Sequence, residues 1–129
     1  YRHYYSIKLA KSNNFINLKK NKNLCIELKG KEYSICHPTV IFHNENYHMW
    51  FCVRGKNYKI GYARSKDGIK WTRKDKDFIV NKTTKKWDSK AMAYPSLIKY
   101  NKKLLMAYTG NDYGRGGIGL LKMDLKSDF

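Results

Sequence analysis

The sequence predicts an all-β protein built from repeated antiparallel meanders, on three observations: one motif is spelled twice, apolar residues alternate with a period of two, and turn-forming clusters separate the alternating runs. The run from His37 through Pro38 to Phe42, then Tyr47 to Phe51, then Lys59 to Ala63, returns as Tyr94 through Pro95 to Lys99, Leu104 to Tyr108, and Gly117 to Leu121. Pro38 matches Pro95, Met49 matches Met106, Phe51 matches Tyr108, and after a one-residue insertion Ile60-Gly61 matches Ile118-Gly119. A period of roughly fifty residues belongs to propeller blades and similar arrays, in which each unit leaves an apolar face for its neighbour to cover.

Taken in order along the sequence, a partial copy comes first. Ile7 to Ser12 and Phe15 to Leu18 parallel Ile60 to Ser65 and Gly68 to Trp71. Strands over 3–11 and 24–28 are expected to finish that unit. In the first full copy, Tyr47, Met49 and Phe51 alternate with His48, Trp50 and Cys52, which is the period of half-buried β-structure. Strands are predicted over 37–43, 46–54, 57–65 and 76–80. In the last copy they are predicted over 94–100, 103–110 and 116–123. The connectors are rich in Asn, Gly and Asp: 43–46, 54–57, 66–68, 100–103 and 110–114. The units are therefore four-stranded meanders, expected as a blade end at 1–36, a blade at 37–88 and an incomplete blade at 89–129, about two and a half in all. An open array of this kind is expected to pair with a second copy or to be completed by a missing N-terminal half.

With 129 residues and 15% aromatics, the chain can fill a modest core. No apolar run has the length of a membrane span, and no signal peptide is visible. Cys25, Cys36 and Cys52 are odd in number and lack the close pairs of a zinc ribbon or redox motif, so reduced thiols and a cytoplasmic location are expected. No metal or cofactor is expected, since His48 with Cys52 and His37 with Cys36 give no tetrahedral ligand spacing.

The net charge of +17 raises nucleic acid as a partner, but the excess is carried by 22 lysines against 5 arginines dispersed from Lys8 to Lys126. Planar, bidentate recognition of phosphate and guanine favours arginine, so only weak, nonspecific polyanion adhesion is expected. The stretch Gly114-Arg-Gly-Gly-Ile-Gly119 satisfies the dinucleotide fingerprint in letters alone. That fingerprint requires a following helix, whereas Leu120 to Met123 matches a strand of the earlier unit.

Tyr47 to Phe51, Lys59 to Trp71, Trp87-Asp-Ser89, Tyr94-Pro95 and Tyr108 to Arg115 together resemble the glycosidase-like five-bladed β-propellers, the superfamily of arabinanases, fructosidases and mannoside phosphorylases. The resemblance covers essentially the whole chain, as the C-terminal portion of a member about twice its length, and implies a glycan or sugar substrate. Glycoside cleavage needs two carboxylates, one protonated and one ionised. On that resemblance Glu32, just before the strand that opens with His37, is the candidate acid, or else an ordinary loop glutamate. Candidate substrate-binding residues around the funnel are His37, Arg54, Asp88, Tyr94, Asn111, Asp112, Tyr113 and Arg115. Sugar sites pair aromatic faces with forked donors and acceptors, and the loop from Asn111 to Arg115 carries all of these. Lys90 stands where relatives often carry an acid, which leaves a non-catalytic glycan-binding or scaffolding propeller as the alternative. Asp67 belongs to a Lys-Asp-Gly turn, and the tryptophans are expected in the blade core.

Overall fold

A computed structural model of the chain describes residues 2–78, 87–101 and 103–124, the side chain of Asp124 excepted. Its three antiparallel sheets are propeller blades in sequence order, one partial, one complete and one three-stranded. The partial blade pairs β1 (Lys8–Lys11) with β2 (Lys19–Leu24). The complete blade runs β3 (Ser34–His43), β4 (Asn46–Arg54), β5 (Tyr58–Ser65) and β6 (Thr72–Arg73) as neighbours in sequence order. The last is β7 (Ala93–Tyr100), β8 (Lys103–Thr109) and β9 (Ile118–Asp124).

The two copies of the sequence motif fold with one register. β3 bulges between Cys36 and Thr39, with Cys36 opposite Cys52 and Thr39 opposite Trp50. In the last blade the bulge falls between Ala93 and Ser96, with Ala93 opposite Thr109 and Ser96 opposite Ala107. The residue at each bulge, His37 or Tyr94, is a non-glycine held at positive φ, 53° and 55°. A bulge bends its strand and re-aims a side chain, and both residues turn toward one another at the blade junction. The partial copy obeys the same rule at its own strand pair: Ala10 opposite Lys20 and Lys11 opposite Lys19 repeat Ala63 opposite Arg73 and Arg64 opposite Thr72.

Alternation along β4 divides its residues between two cores. Met49, Phe51 and Val53 pack back on Ile7, Ile26 and Ile35, while Trp50 and Tyr62 pack forward on Leu104, Met106 and Met123 of the last blade. Met49, Trp50, Phe51 and Val53 are thus each committed to one neighbour or the other, which is why they are almost fully buried. His48 is buried with them: its Nδ1 accepts from the Tyr62 hydroxyl at 2.6 Å while its Nε2 donates to the His43 carbonyl at 3.1 Å, and burial holds its pKa below the usual value. The forward face of the last blade carries Ile98, Tyr100, Ile118 and Leu120, all largely exposed.

The outermost strands depart from expectation. The last strand of the complete blade lies at Thr72–Arg73 and is followed by a 3-10 turn at Asp75–Asp77, not over 76–80, of which 79 and 80 fall outside the described residues. In the partial blade the last strand is Lys19–Leu24 instead of 24–28. An outer strand is an exposed edge, and natural edges are blunted with lysine, so Lys-Lys-Asn-Lys-Asn-Leu shows no apolar alternation.

The turns agree with their residues. Asn44 and Glu45, both at positive φ, close the β3–β4 hairpin as a two-residue loop that matches strand twist. In the Lys-Asp-Gly turn, the Ser65 hydroxyl donates to Asp67, whose carboxylate accepts the amides of Ile69 and Lys70, each at 2.8 Å. Those amides hold the exposed Asp67 at a pKa of about 2. Ser12 and Asn14 build the same turn in the partial blade, Asn14 accepting the amides of Ile16 and Asn17. There the position of Gly68 (φ 69°) is taken by Phe15 (φ 59°), whose side chain is 94% exposed. Left-handed backbone costs a side-chain-bearing residue about 1–2 kcal/mol, against glycine's extra entropy in the unfolded state. Phe15→Gly is therefore expected to stabilise the protein by about 0.5 kcal/mol, read as a higher urea midpoint; a lower midpoint would refute the equivalence of the two turns.

Candidate functional site

The two bulges meet at a cleft of about 490 Å³ between the inner strands β3 and β7. His37 and Tyr94 stand edge to face at its wall, ring centroids 5.4 Å apart at 87°. Tyr58 adds a third ring 5.9 Å from Tyr94, and Tyr113 a fourth 5.9 Å from Tyr58. Arg54 lies among them. Its guanidinium sits 4.2 Å over the Tyr58 ring, Nε donates to the Tyr33 hydroxyl at 2.9 Å, and Nη1 donates to the Tyr113 hydroxyl at 3.0 Å. Burial pushes the Arg54 pKa down, but hydrogen bonds with Tyr113, Tyr33 and Tyr58 outweigh it and raise the pKa overall. Burial and the bond with Tyr58 push Tyr94 up to about 12, so its hydroxyl keeps its proton at any physiological pH.

Local sequence explains how these groups converge. Arg54 ends β4 directly opposite both Ser34 and Tyr58, so the strand ends deliver three cleft residues in register. Tyr113 comes from the β8–β9 loop, where Asn111–Gly114 forms a single turn with Asp112 and Tyr113 both in left-handed backbone. Asn111 fixes that turn: its Oδ1 accepts the amides of Lys90 and Ala91, each at 2.9 Å, and its own amide donates to the Trp87 carbonyl at 2.6 Å. Asp88 is fully buried and accepts the Tyr108 hydroxyl at 2.9 Å, while the Tyr108 ring stacks on Trp87. Asn111 and Asp88 therefore position the loop from beneath.

The structure brings together His37, Arg54, Tyr94 and Tyr113 from the residues singled out in the sequence. It places the others elsewhere. Asp112 is exposed and lines a smaller neighbouring cavity with Lys56 and Lys90. Arg115 is exposed, its amide donating to the Asp112 carbonyl, and does not line the cleft. Glu32 does not line the cleft and lies instead among Lys29, Lys31 and Lys59. It forms a bidentate pair with Arg73, Nη1 to Oε2 at 2.7 Å and Nη2 to Oε1 at 2.9 Å, and takes Lys59 Nζ at 2.8 Å and the Lys29 amide at 2.9 Å. Burial alone would raise its pKa, but those four donors hold it at about 2. A general acid must carry a proton near neutrality, and this arrangement enforces the opposite state. Arg73 continues to Asp75 at 2.8 Å, so Glu32 belongs to a charged network that runs from Lys59 through Arg73 to Asp75.

Sequence reasoning missed Tyr33 and Tyr58. The hairpin register that sets Tyr58 opposite Arg54 was a usable signal, because tyrosine beside a strand-end arginine offers it both a ring face and a hydroxyl. Glycines close the picture at the loop: a Cβ on Gly110 would run into the Trp87 carbonyl and ring. The glycine-rich stretch through Gly119 leads into β9, a strand, as hairpin geometry requires.

The chain matches no protein-family profile. Two uncharacterised proteins from two strains of Mycobacterium tuberculosis are each 34% identical to it over 119 residues, which is 92% of this chain and 40% of theirs. The chain thus spans about two fifths of the length of these relatives. Among solved structures, a glycoside hydrolase superposes with a TM-score of 0.55 at 19% identity, over 74% of this chain and 34% of its own. BT0996, in a complex with RGII, superposes with a TM-score of 0.51 at 21% identity, over 69% of this chain and 32% of its own. At such identities the likeness concerns the fold, and it is the glycoside-hydrolase-like propeller fold that the blades display.

Proposed function

We propose that this chain is part of a carbohydrate-active protein and supplies the glycan-binding wall of its cleft. The observation that carries the proposal is the convergence of His37, Tyr58, Tyr94 and Tyr113 around Arg54 at the junction of two blades. Sugar rings present apolar faces ringed by hydroxyls, and four aromatic rings beside a forked donor meet both requirements. The likeness to glycoside hydrolase folds supports the same class of ligand.

Binding by this segment is favoured over acid–base chemistry by its own carboxylates. Glu32 is locked in ion pairs and Asp88 lies buried against Tyr108, so turnover would draw its two carboxylates from other parts of the protein. Adhesion of nucleic acid to the dispersed lysines is a separate property that the same experiment distinguishes.

The test is a glycan array probed with the full-length protein, followed by titration of a hit at two salt concentrations. Binding is expected to change only a few-fold between about 50 and 200 mM salt, whereas lysine-driven binding of a DNA duplex falls by orders of magnitude. Tyr113→Ala is expected to weaken the glycan at least tenfold and leave the duplex unaffected, because Tyr113 is 65% exposed and holds little of the fold. If no glycan binds, or if a hit survives Tyr113→Ala unchanged, the proposal fails.

A further inference from the structure

The protein treats two of its partly buried arginines in opposite ways. Arg73 is neutralised by Glu32 and Asp75. Arg54, among the described residues, is bonded to tyrosine hydroxyls and lies over tyrosine rings, with no carboxylate in contact. Withdrawing a cation from water is costly unless an anion or several acceptors compensate, and neutral hydroxyls compensate less than a carboxylate does. The cleft around it is also short of anionic acceptors. Arg2 and His3 line it with Arg54 and His37, and no described Asp or Glu lines it.

The hydrogen-bond roles sharpen this. A guanidinium has five N–H donors and no acceptor. Where Tyr33 and Tyr113 accept from Arg54, each hydroxyl still has its own proton to donate outward. The cleft therefore presents N–H and O–H donors converging on one place, beside aromatic faces at Tyr58 and Tyr94. Such a surface complements a ligand with a concentrated set of acceptor oxygens on a ring-shaped, partly apolar body. The planar fork of arginine matches a carboxylate in shape as well as in charge.

We infer that the glycan taken by this cleft is an acidic one, a uronic-acid-type sugar whose carboxylate sits against Arg54 and the hydroxyls of Tyr33 and Tyr113. The inference rests on the glycan proposal above and names its substrate class. Arg54 supplies the charge, the two tyrosines its orientation, and the rings of Tyr58 and Tyr94 the face for the sugar.

The experiment compares uronic-acid oligosaccharides with their carboxyl-reduced counterparts, which keep ring stereochemistry and replace only the carboxylate by a hydroxymethyl group. Isothermal titration of the full-length protein is expected to show the acid binding at least tenfold more tightly than the reduced sugar. Arg54→Gln should erase that ratio, Arg54→Lys should keep part of it, and Tyr113→Phe should lower it a few-fold without changing the melting temperature. The wild-type comparison needs no variant to fold. If the acid and its reduced form bind equally, the acidic-sugar inference is overturned while the glycan proposal stands. If neither binds and no other glycan does, the glycan proposal itself falls. Inorganic phosphate displacing the acid at equal concentration would also overturn the inference, since the site would then select a tetrahedral anion rather than a sugar carboxylate.

Discussion

Replacing Glu32 by glutamine is expected to cost the full-length protein about 3 kcal/mol of stability, the scale for orphaning one partner of a buried ion pair. The side chains of Glu32 and Arg73 are only 8% and 6% exposed, and the amide cannot match the bidentate fork. Arg73 would keep Asp75 but lose its closer anion. Acid should act in the same direction. The Glu32 pKa is about 2 in the fold against 4.5 for the free side chain, so between those values the unfolded state takes up the additional proton. The contribution of Glu32 is therefore complete above about pH 4.5 and is lost as the pH falls toward 2, about 3 kcal/mol over the interval. Urea titrations at pH 7, 4.5 and 3 check both statements: the wild type should weaken steeply over the acid range and Glu32→Gln should weaken less. The double variant Glu32→Gln with Arg73→Met should recover part of the loss, because no charge is then left buried alone. A Glu32→Gln protein as stable as wild type at pH 7 would sink this account of the network.

Gly61→Ala is expected to destabilise by about 1–3 kcal/mol, as overpacking of a filled core does. A Cβ at that position would come 2.5 Å from Phe51 Cε2, 2.8 Å from Cζ and 2.9 Å from Val53 Cγ2. None of these can retreat easily, since Phe51 and Val53 are fully buried and the guanidinium of Arg73 lies 5.5 Å from the Phe51 centroid. The pairing recurs in the last blade, where Gly119 lies opposite Tyr108 and a Cβ would enter that ring. Trimming Phe51 to leucine in the Gly61→Ala background should restore part of the stability, and a double-mutant cycle in urea would read a favourable coupling. Additive losses would mean that the ring does not set the requirement for glycine.

The repeat was legible because burial wrote it. Pro38 with Pro95, Met49 with Met106 and Gly61 with Gly119 hold equivalent places in two cores and two bulges, so the same physical demands selected matching letters. The outer strands were not legible, since Lys19–Leu24 is mostly exposed and Thr72–Arg73 is too short to carry an alternation. At the cleft, His37, Tyr94 and Arg54 could be found from their places at strand starts and ends. Tyr33 and Tyr58 could not be found without the hairpin register that sets Tyr58 opposite Arg54. Glu32 was the instructive case. Its position ahead of an inner strand matched an acid's, but Arg73, forty-one residues away, determines its charge, and no local pattern reveals a partner at that separation.

The contact between His37 and Tyr94 has a mechanical side. Each residue is carried by the bulge of a different blade, so their edge-to-face spacing measures how far one blade is rotated against the next. That rotation is set by the packing of Trp50 and Tyr62 on Leu104, Met106 and Met123, a layer distinct from the rings that line the cleft. The cleft thus behaves as a caliper whose jaws are two strained residues and whose screw is the core between the blades. Its aperture, and with it the size of ligand admitted, can be retuned by a methylene added or removed in that core, leaving every residue that touches the ligand unchanged.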